Sequence, residues 1–359
     1  VINKLEMVLN DRIVAFSELG LFLTQFKNTG YENISNVKCN PDFFDGMVQK
    51  IQSAKHYNGW FTEENVVFSL SQWANTLTKN NIENWISNYS TEKNVSKVIG
   101  IIMAGNIPLV GFHDFLSVLI SGHRVLIKQS SNDNQLLPYL ASCLIAIEPR
   151  FNELITFSNE KFTDFDAIIA TGSNNTARYF EHYFGNKPNI IRKNRNSIAI
   201  LTGNESKEQL EALGEDIFRY FGLGCRSVSK LMVPQDYDFD LFFKSIYPYK
   251  DIINGAKYAN NYDYNKAVYL MSNYKLLDNG FLMLKEDESY GSPIATLFYE
   301  TYASQDELQK KIVLNKENIQ CIVSNDFSAN SIDFGKTQYP LISDYADNID
   351  VVEFLTKIN

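Results

Sequence analysis

Val98-Ile99-Gly100-Ile101-Ile102-Met103-Ala104-Gly105-Asn106-Ile107-Pro108 joins an apolar run to a turn. Val98 to Met103 reads as a buried strand, because an unbroken apolar run of that length suits a strand covered on both faces. Downstream, Phe112 to Ile120 reads as a helix, Val125 to Lys128 as a strand and Leu136 to Ile147 as a helix. A short apolar segment near Leu154 to Phe157, the strand Ala167 to Ala170, the helix Asn174 to Phe184 and the strand Ile198 to Leu201 continue the alternation. The helix Ser206 to Phe221 and the strand Lys230 to Pro234 begin a second α/β unit. Such alternation implies parallel sheets covered by helices on both faces. Upstream, residues 1–90 carry Ile13, Phe16, Leu19, Phe22, Leu23 and Phe26 at three- and four-residue intervals, the pattern of an N-terminal helical lobe. The stretch Tyr237 to Asn265 is rich in Tyr, Asp and Asn and shows no readable period; there are no repeats.

The 359 residues are 45% hydrophobic, enough for a large core and two domains. A net charge of −9 with no Lys- or Arg-rich stripe argues against a nucleic-acid partner. No run approaches the ~18 apolar residues of a membrane span, and the N-terminus lacks a signal peptide's order of basic then apolar residues. A cytoplasmic enzyme without an integral membrane segment is expected. Cys39, Cys143, Cys225 and Cys321 include no CxxC pair, so no zinc site and no redox dithiol is signalled, and reduced thiols are expected.

Four segments carry chemistry. In Gly222-Leu223-Gly224-Cys225-Arg226, two glycines permit tight backbone and a cation adjoins the thiol, which favours thiolate. A small buried hydrophobe is the plain alternative for Cys225. Asn106 follows a strand end, where open α/β sheets bind ligands. Its carboxamide either donates to an oxyanion or closes a turn. Lys128 ends a strand before Gln129-Ser130-Ser131, and either faces solvent or meets an adenosine ribose or its 2′-phosphate. Thr171-Gly172-Ser173 opens a helix N-terminus, suited to a pyrophosphate or to a simple cap. His113 and His123 lack a second ligand at metal spacing and read as capping or hydrogen-bonding residues. Arg192, Lys193 and Arg195 either contact the phosphates of a ligand or are solvated charge. The many Phe and Tyr residues either line a ligand tunnel or, for most of them, belong to the core.

In this order the segments resemble the aldehyde dehydrogenase superfamily. Asn106 to Pro108 is similar to its Pro-Trp-Asn-x-Pro motif, with Ala104 and Gly105 in the first two places. Ile127 to Ser131 is similar to the Leu-Lys-Pro-Ser-Glu strand end, Thr171 to Ser173 to Phe-Thr-Gly-Ser, and Phe334-Gly335-Lys336 to the late Phe-Gly-Gly segment; Ser292-Pro293 is a weaker match to Phe-Gly-Pro. The closer resemblance is to the long-chain fatty acyl-CoA reductase (LuxC-type) family. Ala104 to Pro108, Gly122-His123-Arg124, Arg192 to Ser197 and Gly222 to Arg226 carry it, and it covers roughly residues 95–355.

The resemblance implies an aldehyde-dehydrogenase-like α/β fold with two open parallel sheets. The expected domains are an N-terminal helical lobe at 1–90, a cofactor-binding Rossmann-like domain at 91–203, a catalytic domain at 204–334 and a C-terminal segment at 335–359 returning to the cofactor domain. Cys225 is implied as nucleophile and Asn106 as oxyanion donor, with cofactor contacts at Met103, Ala104, Lys128, Ser130, Ser131, Thr171, Gly172 and Ser173. Hydrolytic relatives carry a glutamate in Glu-Leu-Gly-Gly-Lys that activates water, whereas Arg192 to Ser197 holds no carboxylate. An acyl-cysteine would then persist for reduction. Ser131 stands where a ribose-binding glutamate is usual, which favours NADPH over NADH. The expected reaction reduces a long-chain acyl-CoA or acyl-protein thioester to the aldehyde. The alternatives are an NAD(P)-dependent aldehyde dehydrogenase on a small aldehyde, and a non-catalytic acyl- or nucleotide-binding subunit of a multi-enzyme complex. A homo-oligomer or an acyl-transfer partner subunit stays open.

Overall fold

The computed structural model describes residues 7–27, 30–90, 95–325 and 327–358. The helical reading of 1–6, 28 and 29 and the start of the expected cofactor domain at 91–94 lie outside the described residues. The chain divides into two compact units, 1–193 with 341–359, and 194–340.

The first unit opens with helices α1 (Leu9–Leu23), α2 (Asn40–Tyr57), α3 (Glu63–Thr76) and α4 (Lys79–Ile86). Thr62 and Thr78 cap α3 and α4 by accepting from the Asn65 and Asn81 N–H groups, which would otherwise lack partners. The predicted apolar face is buried throughout, from Ile13 to Phe26. Phe16 meets Phe115 and Phe151 edge-on at centroid distances of 6.4 and 5.7 Å. Helices α1 to α4 thereby share one hydrophobic core with α5 (Phe112–Ile120) and α6 (Leu136–Ile147). Cys39 and Cys143 bring their sulfurs within 2.7 Å in this core, a proximity that their spacing of 104 residues hides.

The sheet of this unit comprises β1 (Val98–Ile102), β2 (Arg124–Lys128), β3 (Ile155–Phe157), β4 (Ala167–Thr171) and β5 (Asn189–Arg192), with α7 (Asn174–Phe184) between the last two. All pairs are parallel and the order is β3-β2-β1-β4-β5. The chain builds outward from β1 to β3 and then crosses to β4 on the other side of β1. The gap between the carboxyl ends of β1 and β4 is therefore a topological switch point, where open α/β sheets leave a crevice.

The second unit holds β6 (Asn196–Ile200), α8 (Lys207–Phe218), β7 (Val228–Pro234), α9 (Asp240–Ser245), α10 (Ala256–Met271), β8 (Leu276–Asp278), β9 (Met283–Glu286), β10 (Thr296–Tyr302), α11 (Gln305–Leu314) and β11 (Ile319–Val323). Its sheet order is β11-β6-β7-β10-β9-β8, parallel except for the antiparallel edge pair β8–β9. Ser206 and Gln209 form a capping box at the start of α8. The helix expected to reach Phe221 stops at Phe218, because Tyr220 and Phe221 take left-handed φ of 55° and 59°. The unreadable Tyr- and Asn-rich stretch resolves into α9, a 3-10 segment Tyr247–Asn254 and the first part of α10. On α10, Tyr258 and Tyr262 are buried while Tyr264 and Leu270 are exposed, so no apolar stripe marks the inner face.

The last residues return to the first unit with α12 (Val351–Thr356), whose Val351, Val352 and Leu355 join the first core. Two histidines fasten this return. His113 Nε2 donates to the Ile342 carbonyl at 2.8 Å, and His123 Nε2 to that of Leu355 at 3.2 Å while its Nδ1 accepts from Lys97 N–H. Burial lowers the pKa of both imidazoles, which keeps them neutral. Both therefore take the hydrogen-bonding role.

Candidate active site

Three adjacent strands of the first sheet end at one edge. Met103 and Ala104 follow β1, Lys128, Ser130 and Ser131 close or follow β2, and Thr171 to Ser173 close β4 and lead into α7. The register Ile102↔Lys128 and Ile102↔Ala170 puts these ends level with one another. All eight expected cofactor contacts are thus gathered at the carboxyl edge, on the two sides of the switch point. Met103 is buried, Ala104, Lys128, Ser130, Thr171 and Gly172 are half-buried, and Ser131 and Ser173 are exposed. Ser173 caps α7, its hydroxyl oxygen accepting from the Thr176 N–H at 3.2 Å.

Asn106, exposed, sits on the turn directly after β1. A Cβ on Gly105 would lie 2.6 Å from Ser130 Cβ, so the turns after β1 and β2 press together and only glycine fits. Pro108 and Leu109 fix the far side. Ser69 on α3 donates to the Pro108 carbonyl at 3.0 Å, and the buried Asp133 carboxylate accepts from the Leu109 N–H at 2.9 Å. Leu109 takes φ 59°, which a branched side chain disfavours and which persists because both anchors hold it. Burial pushes the Asp133 carboxyl up to about 7 against the pull of that N–H, so the anchor sits in a dry, weakly polar setting.

Cys225 belongs to the second unit and is exposed, unlike Cys39, Cys143 and Cys321. It lies at the amino end of β7 on a loop entered through three consecutive left-handed residues, Tyr220, Phe221 and Gly222, with φ of 55°, 59° and 76°. Strain of this kind costs about 1–3 kcal/mol per non-glycine residue and persists only where the surroundings impose it. Here Ser197 at the start of β6 donates to the Cys225 carbonyl at 2.9 Å, and Arg226 Nε donates to the Thr337 carbonyl at 2.6 Å. The loop thus presents the thiol to solvent with a cation anchored one residue away.

The acyl-CoA reductase (LuxC) family model matches residues 78–241, just under half of the chain. This stretch is similar to that family. It contains Asn106, Lys128, Thr171 to Ser173 and Cys225. No curated protein matches the chain. Among solved structures, an NAD-dependent aldehyde dehydrogenase from Sinorhizobium meliloti is similar at TM-score 0.61 and 12% identity, over 92% of this chain and 72% of that one. The putative aldehyde dehydrogenase PutA from Anabaena variabilis gives 0.59 and 13%, over 90% and 76%. A mutant of aldehyde dehydrogenase C from Pseudomonas syringae, in complex with NAD+ and octanal, gives 0.56 and 11%, over 90% and 78%. The fold is that of the aldehyde dehydrogenases. Family and fold together support an oxidoreductase of the aldehyde or acyl reductase type.

Within the LuxC-type stretch, the basic cluster divides. Arg192, expected either on CoA phosphates or in solvent, is buried and makes a two-pronged ion pair with Asp114 of α5 at 2.6 and 2.9 Å. Lys193 pairs with Glu181 at 2.8 Å on the surface. Removing one partner of a buried pair leaves an uncompensated charge. Arg192→Leu is therefore expected to lower stability by about 3–5 kcal/mol. Urea unfolding checks this, and the double variant with Asp114→Leu should recover most of the loss. Among the described residues no group of three His, Cys, Asp or Glu side chains is placed to hold a metal. Asp133, which holds the Asn106 turn, escapes sequence reading because its partner is a distant backbone group and no motif marks it.

Proposed function

We propose that the protein reduces a long-chain acyl thioester, either acyl-CoA or a protein-bound acyl group, to its aldehyde through an acyl-cysteine at Cys225, using NADPH. The observation that carries this reading is the exposed Cys225 on its strained loop, inside a LuxC-type stretch. The Cys225 thiolate attacks the thioester carbonyl, the CoA or carrier thiolate leaves, and the acyl group stays on sulfur. The Asn106 carboxamide and the Cys225 backbone N–H donate to the oxyanion of this addition and to that of the following reduction.

The residues at the first sheet's carboxyl edge fit a nicotinamide dinucleotide. Gly105 and Gly172 let the turns after β1 and β4 pack closely, against Ser130 and against Thr176 and Phe180 of α7, and the amino end of α7 offers N–H groups and a positive dipole to a pyrophosphate. Met103, Ala104, Lys128, Ser130, Ser131 and Thr171 to Ser173 would hold it. When bound, the cofactor supplies the hydride that reduces the acyl-cysteine. Arg192 to Ser197 offers no carboxylate to activate water, and Arg192 itself is committed to Asp114. The acyl-cysteine is therefore spared hydrolysis.

Lys128 is assigned to the 2′-phosphate. A hydrogen bond to a charged group contributes about 1.5–3 kcal/mol, so Lys128→Met should raise KM for NADPH roughly tenfold or more and leave NADH unchanged. Equal use of both nucleotides by the wild type would remove NADPH from the proposal. The reaction itself is tested by following NADPH oxidation with acyl-CoA of several chain lengths, alongside intact-mass detection of an adduct without NADPH. An adduct that disappears on adding NADPH as aldehyde appears supports the scheme; no adduct and no oxidation with any acyl-CoA or acyl carrier protein would overturn it.

A further inference from the structure

We propose that Asp216 is the positioning residue of the cysteine loop, holding Arg226 and Ser227 in place around Cys225 through the strap 335–338. The inference rests on the reading of Cys225 as the nucleophile. Asp216 lies on α8, nine residues before the cysteine, and is fully buried. Its carboxylate accepts from the Gly335 N–H at 2.6 Å and from both the N–H and the hydroxyl of Thr337 at 2.9 Å. Gly335, at φ 78°, runs so close to α8 that a Cβ there would meet Ala212 at 3.1 Å. The strap is thus clamped to α8 by a single side chain making three hydrogen bonds.

From the strap, the bonds run to both residues that follow Cys225. The Thr337 carbonyl accepts from Arg226 Nε at 2.6 Å, and Gln338 Nε2 donates to Ser227 Oγ at 3.4 Å and to Thr337 Oγ1 at 3.3 Å. Asp216, the strap and the cysteine loop therefore close a ring, whose remaining side is the left-handed turn Tyr220 to Gly222. That turn offers many alternative conformations once the far side is released. The clamp is held at a cost, since burial pushes the Asp216 carboxyl up to about 6 in spite of three donors. A buried carboxyl kept under such conditions beside a reactive loop is typical of a functional site. Releasing the strap would free the Arg226 side chain and Ser227, and the loop would no longer hold Cys225 in one setting.

The test compares wild type with Asp216→Asn, Asp216→Glu and Thr337→Val in the full chain. The amide of Asp216→Asn turns an N–H toward one of the strap's N–H donors, whereas Thr337→Val removes only the hydroxyl, which donates to Asp216 and accepts from Gln338. Iodoacetamide alkylation of Cys225 is timed by peptide mass, kcat and KM are measured with acyl-CoA, and circular dichroism reports folding. The expected result is a native spectrum for Asp216→Asn with alkylation and kcat each reduced about tenfold or more, KM unchanged, and partial recovery in Asp216→Glu. Wild-type alkylation and kcat in a folded Asp216→Asn would overturn the proposal. Should Asp216→Asn not fold, wild-type values in a folded Thr337→Val would overturn it equally. The two readings fail separately: a wild type that forms no acyl adduct counts against the reductase scheme, while slowed alkylation in the variants still supports the clamp.

Discussion

Serine in place of Cys225 is expected to eliminate the acyl-enzyme and to lower kcat at least ~10⁴-fold, the scale on which loss of a covalent nucleophile is felt. The cysteine competes as a thiolate, whereas a serine hydroxyl needs an adjacent base to react at neutral pH. The Cys225 loop supplies a cation at Arg226 and no histidine or carboxylate among its own residues 219–227. The exchange of sulfur for oxygen leaves the loop's anchors untouched, because Ser197 holds the residue 225 carbonyl and Thr337 the Arg226 side chain. The variant should therefore fold and bind as wild type. Intact-mass measurement with acyl-CoA is the check. An adduct retained in Cys225→Ser and mapped to another residue would overturn the assignment.

Asn106→Ala is expected to keep substrate binding and to lose about 10²–10³ in kcat, or about 2.7–4 kcal/mol, the usual cost of one oxyanion donor. The turn should survive the substitution. It is held by Gly105 against Ser130, by Ser69 at Pro108 and by Asp133 at Leu109, none of which uses the Asn106 side chain in these contacts. A kcat loss with KM unchanged would mark an interaction made only in the transition state. Unchanged turnover would return Asn106 to the plain turn role. If Asn106 and Cys225 act on one carbonyl, the double variant should be no worse than Cys225→Ser alone, since the donor has no oxyanion to hold once the nucleophile is gone.

Much of the fold was legible along the chain, and for an identifiable reason. Helices α5, α6 and α7 coincide with the expected ranges, and β1, β2 and β4 differ by one residue at an end. Buried strands and amphipathic helices write their period directly into the apolar positions. Where local order was overridden the reading failed. The helix through Phe221 is cut short by left-handed residues that the cysteine loop imposes, and α10 hides its buried face among tyrosines and asparagines. Spacing and composition were enough to place a cysteine on a glycine bend, an asparagine after a strand and a lysine at a strand end. Those are properties of short segments. That Met103, Lys128 and Thr171 stand at one sheet edge follows only from the order β3-β2-β1-β4-β5, which a crossing of the chain creates. Likewise Arg192 finds Asp114, and Asp216 finds Thr337, across 78 and 121 residues. Such pairings arise because burial demands a partner for each charge and each polar backbone group, and the partner is selected by proximity in the folded chain rather than along it.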